Sequence, residues 1–191
     1  MANKNEEIFR MQSSYFFGYG SLVNIETHVY RPYQKATAKG WRRKWVYTKY
    51  RKTPFLSAHF VDMGEISGLL AMVPNNDWDA LDIRETGYQR QRFSAETGES
   101  FSKEAQIYFV PDRNISKRKS SGGILLSYLD CVIKGYLSQF GEEGAADFFS
   151  TTDGWDCNIF NDRLNPIYPR HVELSDAEYR FVDHHLKFIK S

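Results

Sequence analysis

The chain has 191 residues, 25 Lys and Arg against 24 Asp and Glu, and a net charge of +1. That balance argues against a dedicated nucleic-acid binder, which carries a basic excess. No apolar run is long enough to span a bilayer, and two cysteines, Cys131 and Cys157, are too few for a disulfide scaffold or a four-cysteine metal site.

Residues Met1 to Gln12 are polar, with Glu6 and Glu7, and lack the apolar stretch of a signal peptide. The expectation is a cytoplasmic protein with two free thiols, folded as one domain over 1–191 with 1–12 as a flexible tail. Strand composition follows near Tyr15–Tyr19, Trp41–Tyr50, Phe55–Val61, Ile66–Val73 and Ala105–Val110. Arg43, Arg51 and Lys52 read as solvated strand-edge charges. Between the last two strands a short helix is expected, capped by Asn76 or Asp77, running through Trp78 and Leu81 towards Glu85, with Gly87 at its exit.

The polar, basic segment Asp112 to Gly123 reads as a loop. Ser120 or Ser121 would then cap a helix carrying Leu125, Leu129, Val132, Ile133, Tyr136, Leu137 and Phe140 at helical spacing, with Gly141 as its stop. Residues 151–170 read as irregular but ordered, anchored by Trp155, Ile159, Phe160, Ile167 and Tyr168, and Asn161-Asp162-Arg163 as a turn. A last helix starts at Ser175 with Glu178 three positions on, a capping box. Strands first and helices later indicate an α+β domain, with 151–191 as an additional C-terminal segment.

The stretch Phe17-Gly18-Tyr19-Gly20-Ser21-Leu22 carries the most chemistry. It reads as a buried strand breaking into a glycine-rich turn, where Gly18 and Gly20 permit backbone geometry that other residues resist. Such a turn can aim several backbone N–H groups at one point and bind an anion or an oxyanion. The second element is Arg84-Glu85-Thr86-Gly87-Tyr88, which supplies a carboxylate. Five histidines are scattered, and only His184 and His185 are close, on adjacent positions that do not face one site, so no metal is expected.

Together these elements resemble the γ-glutamylcyclotransferases. Tyr19-Gly20-Ser21-Leu22 is similar to the N-terminal turn of that family. Leu81-Asp82-Ile83-Arg84-Glu85-Thr86-Gly87-Tyr88 resembles a pattern of its glutathione-acting branch, as does Arg51-Lys52-Thr53-Pro54, with Lys52 where that branch has glycine. The resemblance covers roughly the first two-thirds of the chain, and 151–191 does not match that branch. It implies a mixed, barrel-like sheet flanked by helices, with the turn and the glutamate meeting in one cavity. It also implies an internal aminolysis: the α-amine of a γ-glutamyl group attacks its own γ-carbonyl, 5-oxoproline forms and an amine leaves, with no cofactor.

On that resemblance Glu85 is the general acid/base. The backbone of Gly20, Ser21 and Leu22 binds substrate or oxyanion, and Tyr19, Tyr88 and Tyr128 are substrate contacts. The partner is then a small γ-glutamyl compound, glutathione, a γ-glutamyl amino acid or a γ-glutamylamine, with no nucleic acid and no membrane. A homodimer stays an open option. Two other readings use the same residues: a non-catalytic binding protein with this cavity, and a γ-glutamyl amide hydrolase.

Overall fold

A computed structural model describes residues 14–98 and 101–189. The tail expected at 1–12 lies outside the described residues. The strands are β1 (Ser14–Gly18), β2 (Tyr33–Val46), β3 (Phe55–Val73), β4 (Gln89–Thr97) and β5 (Phe101–Phe109). They run in the order β3-β1-β5-β4-β2, and β2 pairs again with β3, so five strands close into a barrel. β1 is antiparallel to β3, with Gly18 opposite Leu69, and parallel to β5, with Phe17 opposite Ile107. The sheet is therefore mixed, as the resemblance implied, and closure leaves few open edges.

β1 is buried on both faces, which is why it reads as an unbroken apolar run. Successive side chains leave a strand on opposite faces. Tyr15, Phe17 and Tyr19 join the main core, while Phe16 joins a second cluster with Leu22, Trp78 and Leu81. That second cluster seats α1 (Asp79–Arg84) against the outside of β1. The N-cap position is Trp78 and carries no side-chain bond, so neither Asn76 nor Asp77 caps the helix as expected, although the Asp77 carboxylate accepts from the Asp79 amide at 3.1 Å just ahead of it. Leu81 is fully buried, worth roughly 2 kcal/mol by transfer. Gly87, at φ +102, turns the chain out after the helix.

Two strands expected at Phe55–Val61 and Ile66–Val73 form one, because β3 pairs with β2 along nearly its whole length. β4 was not expected. Its sequence QRQRFSAET is polar, and only Ala95 in it is buried, so pairing with β5 rather than burial holds it in the sheet.

α2 (Leu126–Ser150) follows a two-residue strand β6 (Ile124–Leu125). It starts after Leu125, so Ser120 and Ser121 do not cap it. Gly141, at φ 72, stops the helical backbone as expected, and Leu126–Ser150 is two helical segments that meet there in a kink. The helix seats on the turn after β1: the Asn24 side-chain amide donates to the Cys131 carbonyl at 3.0 Å. A Cβ on Gly135 would stand 2.6 Å from the Asn24 amide nitrogen, so only glycine allows this approach.

Beyond α2 come β7 (Thr152–Asp153), which extends the barrel sheet beside β2, and β8 (Ile159–Phe160), parallel to β6. α3 (Asp176–Ile189) opens with the expected capping box: Ser175 N donates to Glu178 Oε2 at 2.6 Å, and Glu178 N to Ser175 Oγ at 3.4 Å. Among the described residues no helix is long and apolar enough to cross a membrane. Cys131 and Cys157 are both buried.

Arg43 is not a solvated edge charge. It is 1% exposed inside the fold. Its guanidinium donates to Tyr136 Oη at 2.9 Å, Ser67 O at 3.2 Å, Thr152 Oγ1 at 3.1 Å and Thr151 Oγ1 at 2.6 Å, and it lies over the Phe148 ring. Neutral oxygens and ring faces replace water around a charge that has left solvent.

Candidate functional site

At the end of β1 the chain enters a short 3-10 turn, Ser21–Val23. The amides of Val23 and Asn24 turn back onto the carbonyls of Gly20 and Ser21, at 2.9 and 3.2 Å. The amides of Ser21 and Leu22 open the turn, where a helix has no internal acceptors to offer. Neither Gly18 nor Gly20 has a positive φ. Space, not dihedral freedom, selects them. A Cβ on Gly18 would meet Leu22 Cβ at 2.6 Å, and one on Gly20 would meet the Tyr128 hydroxyl at 2.8 Å.

The turn faces a cavity of about 180 Å³. Ser21, Arg84, Glu85, Tyr88, Tyr128 and Tyr168 line it, with Trp45, Phe55 and Leu56 as apolar wall. A narrower inner recess of about 30 Å³ shares Ser21, Glu85, Tyr88 and Tyr128 and adds Tyr19, Gly20 and Leu22. Every residue expected at the site thus borders this cavity or its recess. The Tyr19 hydroxyl is spent within the barrel: it donates to Tyr108 O at 2.6 Å and accepts from Ala58 N at 3.0 Å. Tyr88 donates to Leu56 O at 2.9 Å and stacks on Phe55, with ring centres 5.4 Å apart. Tyr128 is held edge-on between Trp45 and Tyr168.

Glu85 ends α1, and its side chain is 16% exposed. Burial pushes its carboxyl above the usual carboxylate range, and the charges of Arg84, Arg170 and Arg51 pull it back in part. Arg84 joins the two motifs. It donates to Ser21 Oγ at 3.1 Å, to Thr27 O at 3.0 Å and to Thr27 Oγ1 at 3.1 Å, while its Nε lies 3.4 Å from Glu85 Oε1. Asp82, one turn before Glu85 on α1, is taken by Arg90 at 2.8 Å and by the Tyr108 hydroxyl at 2.7 Å, and does not border the cavity. A two-carboxylate site on one helix face is therefore not formed.

Sequence reasoning missed Arg84, Arg51, Tyr168 and Arg170 as cavity residues. The last two come from 151–170. Of its expected anchors, Trp155 and Ile159 pack against the main core and Tyr168 against Tyr128, while Phe160 and Ile167 are half exposed. Asp162 adds polar anchoring: it accepts from Ser127 N at 2.8 Å, Ser127 Oγ at 2.5 Å and Ile167 N at 2.9 Å. Arg163 adds a two-point pair to Asp130, at 2.7 and 2.8 Å, and reaches Asp183 at 2.7 Å. The spacing of Asn161-Asp162-Arg163 signalled a turn; its buried partners lie more than 30 residues away in sequence and left no local signal.

The loop expected at Asp112–Gly123 lines a second, open cavity of about 690 Å³ with Asp112, Ser116 and Lys119, rather than the first. Among the described residues no three His, Cys, Asp or Glu side chains are grouped to hold a metal. The indole N–H of Trp45, a donor only, is buried and has no partner among the described residues.

A family model described as "Gamma-glutamyl cyclotransferase, AIG2-like" matches residues 16–125. Among solved structures, one described as a gamma-glutamyl cyclotransferase superposes with a TM-score of 0.62 at 13% identity, covering 91% of this chain and 99% of its own. An uncharacterized protein from Homo sapiens gives 0.60 at 12% identity, covering 90% and 99%. YkqA from Bacillus subtilis gives 0.55 at 19% identity, over 79% of this chain and 60% of its own. Likenesses at these identities establish a shared fold. No curated protein matches the chain.

Proposed function

Since the chain belongs to the gamma-glutamyl cyclotransferase, AIG2-like family, we propose that it cyclises the γ-glutamyl group of a small amide to 5-oxoproline and releases the attached amine. The observation that carries this reading is the shared cavity of Glu85 and Ser21, bridged by Arg84.

The chemistry asks little of the protein beyond proton transfer and charge stabilisation, because nucleophile and electrophile sit in one molecule. Glu85 takes a proton from the substrate α-ammonium. The freed nitrogen attacks the γ-carbonyl, and the C–N bond of the lactam forms. As the tetrahedral centre collapses, the old amide C–N bond breaks, Glu85 returns its proton to the leaving nitrogen, and the second proton shed by the attacking nitrogen also passes to the departing amine, which leaves as an ammonium. A carboxylate in its ordinary range is a weak base for an ammonium, and burial of Glu85 narrows that gap. The amides of Gly20, Ser21 and Leu22 hold the α-carboxylate or the developing oxyanion. Tyr88 and Tyr128 shape the walls around the amide. The Ser21 hydroxyl is a hydrogen-bond acceptor for Arg84, not a nucleophile, and no acyl-enzyme is needed. We place the reaction in the cytosol, in keeping with a chain of only two cysteines, both buried.

The test is product analysis. The purified protein, given a panel of γ-glutamyl amino acids, peptides and amines, is expected to yield 5-oxoproline by mass spectrometry. Release of free glutamate instead would make it a hydrolase, and tight binding without product would make it a binding protein.

A further inference from the structure

The cavity holds more positive charge than a γ-glutamyl group can use. Its wall carries three guanidinium groups, from Arg51, Arg84 and Arg170, against the single carboxylate of Glu85. Arg84 is committed: its side chain is 7% exposed and its donors serve Ser21, Thr27 and Glu85. Arg51 and Arg170 are different. Both are exposed, at the mouth, and both act on Glu85 through space. Arg51 comes from the β2–β3 connection and lies 5.4 Å from the centre of the Phe55 ring. Arg170 comes from the C-terminal segment, outside residues 16–125.

A γ-glutamyl group carries one ammonium and one carboxylate and is neutral overall. With that group held at the turn, the leaving amine extends towards the mouth. We propose, resting on the activity above, that Arg170 together with Arg51 forms a subsite for a carboxylate on the leaving group. The substrate class is then a γ-glutamyl amino acid or a γ-glutamyl peptide, not a simple γ-glutamylamine.

The position of Arg170 is built, not incidental. Two residues before it, Tyr168 packs edge-on to Tyr128 and its amide donates to Ser127 Oγ at 3.2 Å. Asp162 ties the same Ser127 to the Ile167 amide. Pro169 restricts the backbone just ahead of the arginine. A guanidinium offers a planar pair of donors that matches a carboxylate, so an arginine placed this way discriminates charge and shape together. Its exposure keeps the gain modest, on the order of tenfold in affinity.

The test uses a matched pair, γ-glutamyl-alanine and its C-terminal amide, which differ in the leaving-group carboxylate alone. The wild-type protein is expected to favour the acid by about tenfold in kcat/KM, mostly through KM, and to lose that preference as salt rises. Arg170→Gln should bring the two compounds within about threefold of each other by slowing the acid more than the amide, since any effect through Glu85 falls on both alike. Equal turnover of both compounds by the wild type would overturn the proposal, and so would an equal loss on both in Arg170→Gln. If neither compound gives 5-oxoproline, the activity fails. Calorimetric binding of the pair to wild type and Arg170→Gln still decides the subsite: a preference for the acid that depends on Arg170 supports it, and equal affinities overturn it.

Discussion

Arg84 donates from Nη2 to the Ser21 hydroxyl at 3.1 Å, across 63 positions of sequence. The same guanidinium stands beside Glu85. One cation therefore couples the geometry of the turn to the proton affinity of the acid. Arg84→Gln should raise the Glu85 pKa further, since it removes the nearest charge that lowers it. The acid limb of the kcat/KM profile should move up by up to about one pH unit. A fall in thermal stability with no movement of that limb would mark Arg84 as a structural brace alone.

Glu85→Gln is expected to lower turnover by about 100-fold or more, with the fold intact. It should also stabilise the protein at pH 7. A carboxyl raised by burial ionises more readily in the unfolded chain, so stability is lost as pH rises through the unfolded value towards the folded one. Glutamine mimics the protonated acid and escapes that loss. Urea melts of the two proteins should therefore converge as pH falls to 4 and separate by pH 7, with the variant the more stable.

Gly20→Val puts carbon where the Tyr128 hydroxyl now stands, and where Leu56 Cδ2 is only 3.3 Å away. Tyr128 has little room to retreat between Trp45 and Tyr168. The variant should lose roughly 1–3 kcal/mol of stability and most of its activity. Gly20→Ala with Tyr128→Phe should recover part of the stability lost by Gly20→Ala alone, a coupling that a double-mutant cycle reads directly. A stable, fully active Gly20→Val protein would refute the steric account.

His28 gives a pH effect of the opposite kind. Burial pushes its ring down to about 4, against the pull of its hydrogen bond to the Leu22 carbonyl. The unfolded chain binds the proton first. Stability is then lost as pH falls from about 6.5 to about 4. With solvent on its open side the contribution is on the order of 2 kcal/mol. His28→Gln should flatten the denaturation profile across that window; parallel profiles would mean that other groups set it.

Arg43→Met should cost about 2–4 kcal/mol in chemical denaturation, because four oxygens lose a buried donor. One of them, the Tyr136 hydroxyl, lies 3.0 Å from the Tyr19 carbonyl, so the loss reaches the turn as well.

The legible parts of this molecule were those with a local cause. β1 announced itself through Phe16 and Phe17, the last helix through its Ser175–Glu178 box, and α1 through Asp77, just ahead of its start. β4 was silent because most of its side chains are exposed and only Phe93 and Ala95 reach the core, so its pairing with β5 more than its composition makes it a strand. Gly141 was legible as a stop, and its backbone is non-helical; what the sequence did not show is the second helical segment directly after it, where Ala145, Phe148 and Phe149 are buried. At the site, Glu85 and Ser21 stood out through resemblance. Arg84 did not, though it adjoins Glu85, because an arginine next to a glutamate reads as an ordinary surface pair. Arg170 depends on the Asp162 and Arg163 contacts, which no short window of sequence contains.

That anchoring has a consequence for how the protein comes into being. The floor of the binding chamber is set by residues 19–22 and its rim by 168–170. During synthesis the residues of the floor leave the ribosome before those of the rim. If the proposed roles hold, a barrel that closed early would present Glu85 with its guest selectivity still unwritten, and discrimination would arrive last, with the Asp162 clasp on Ser127.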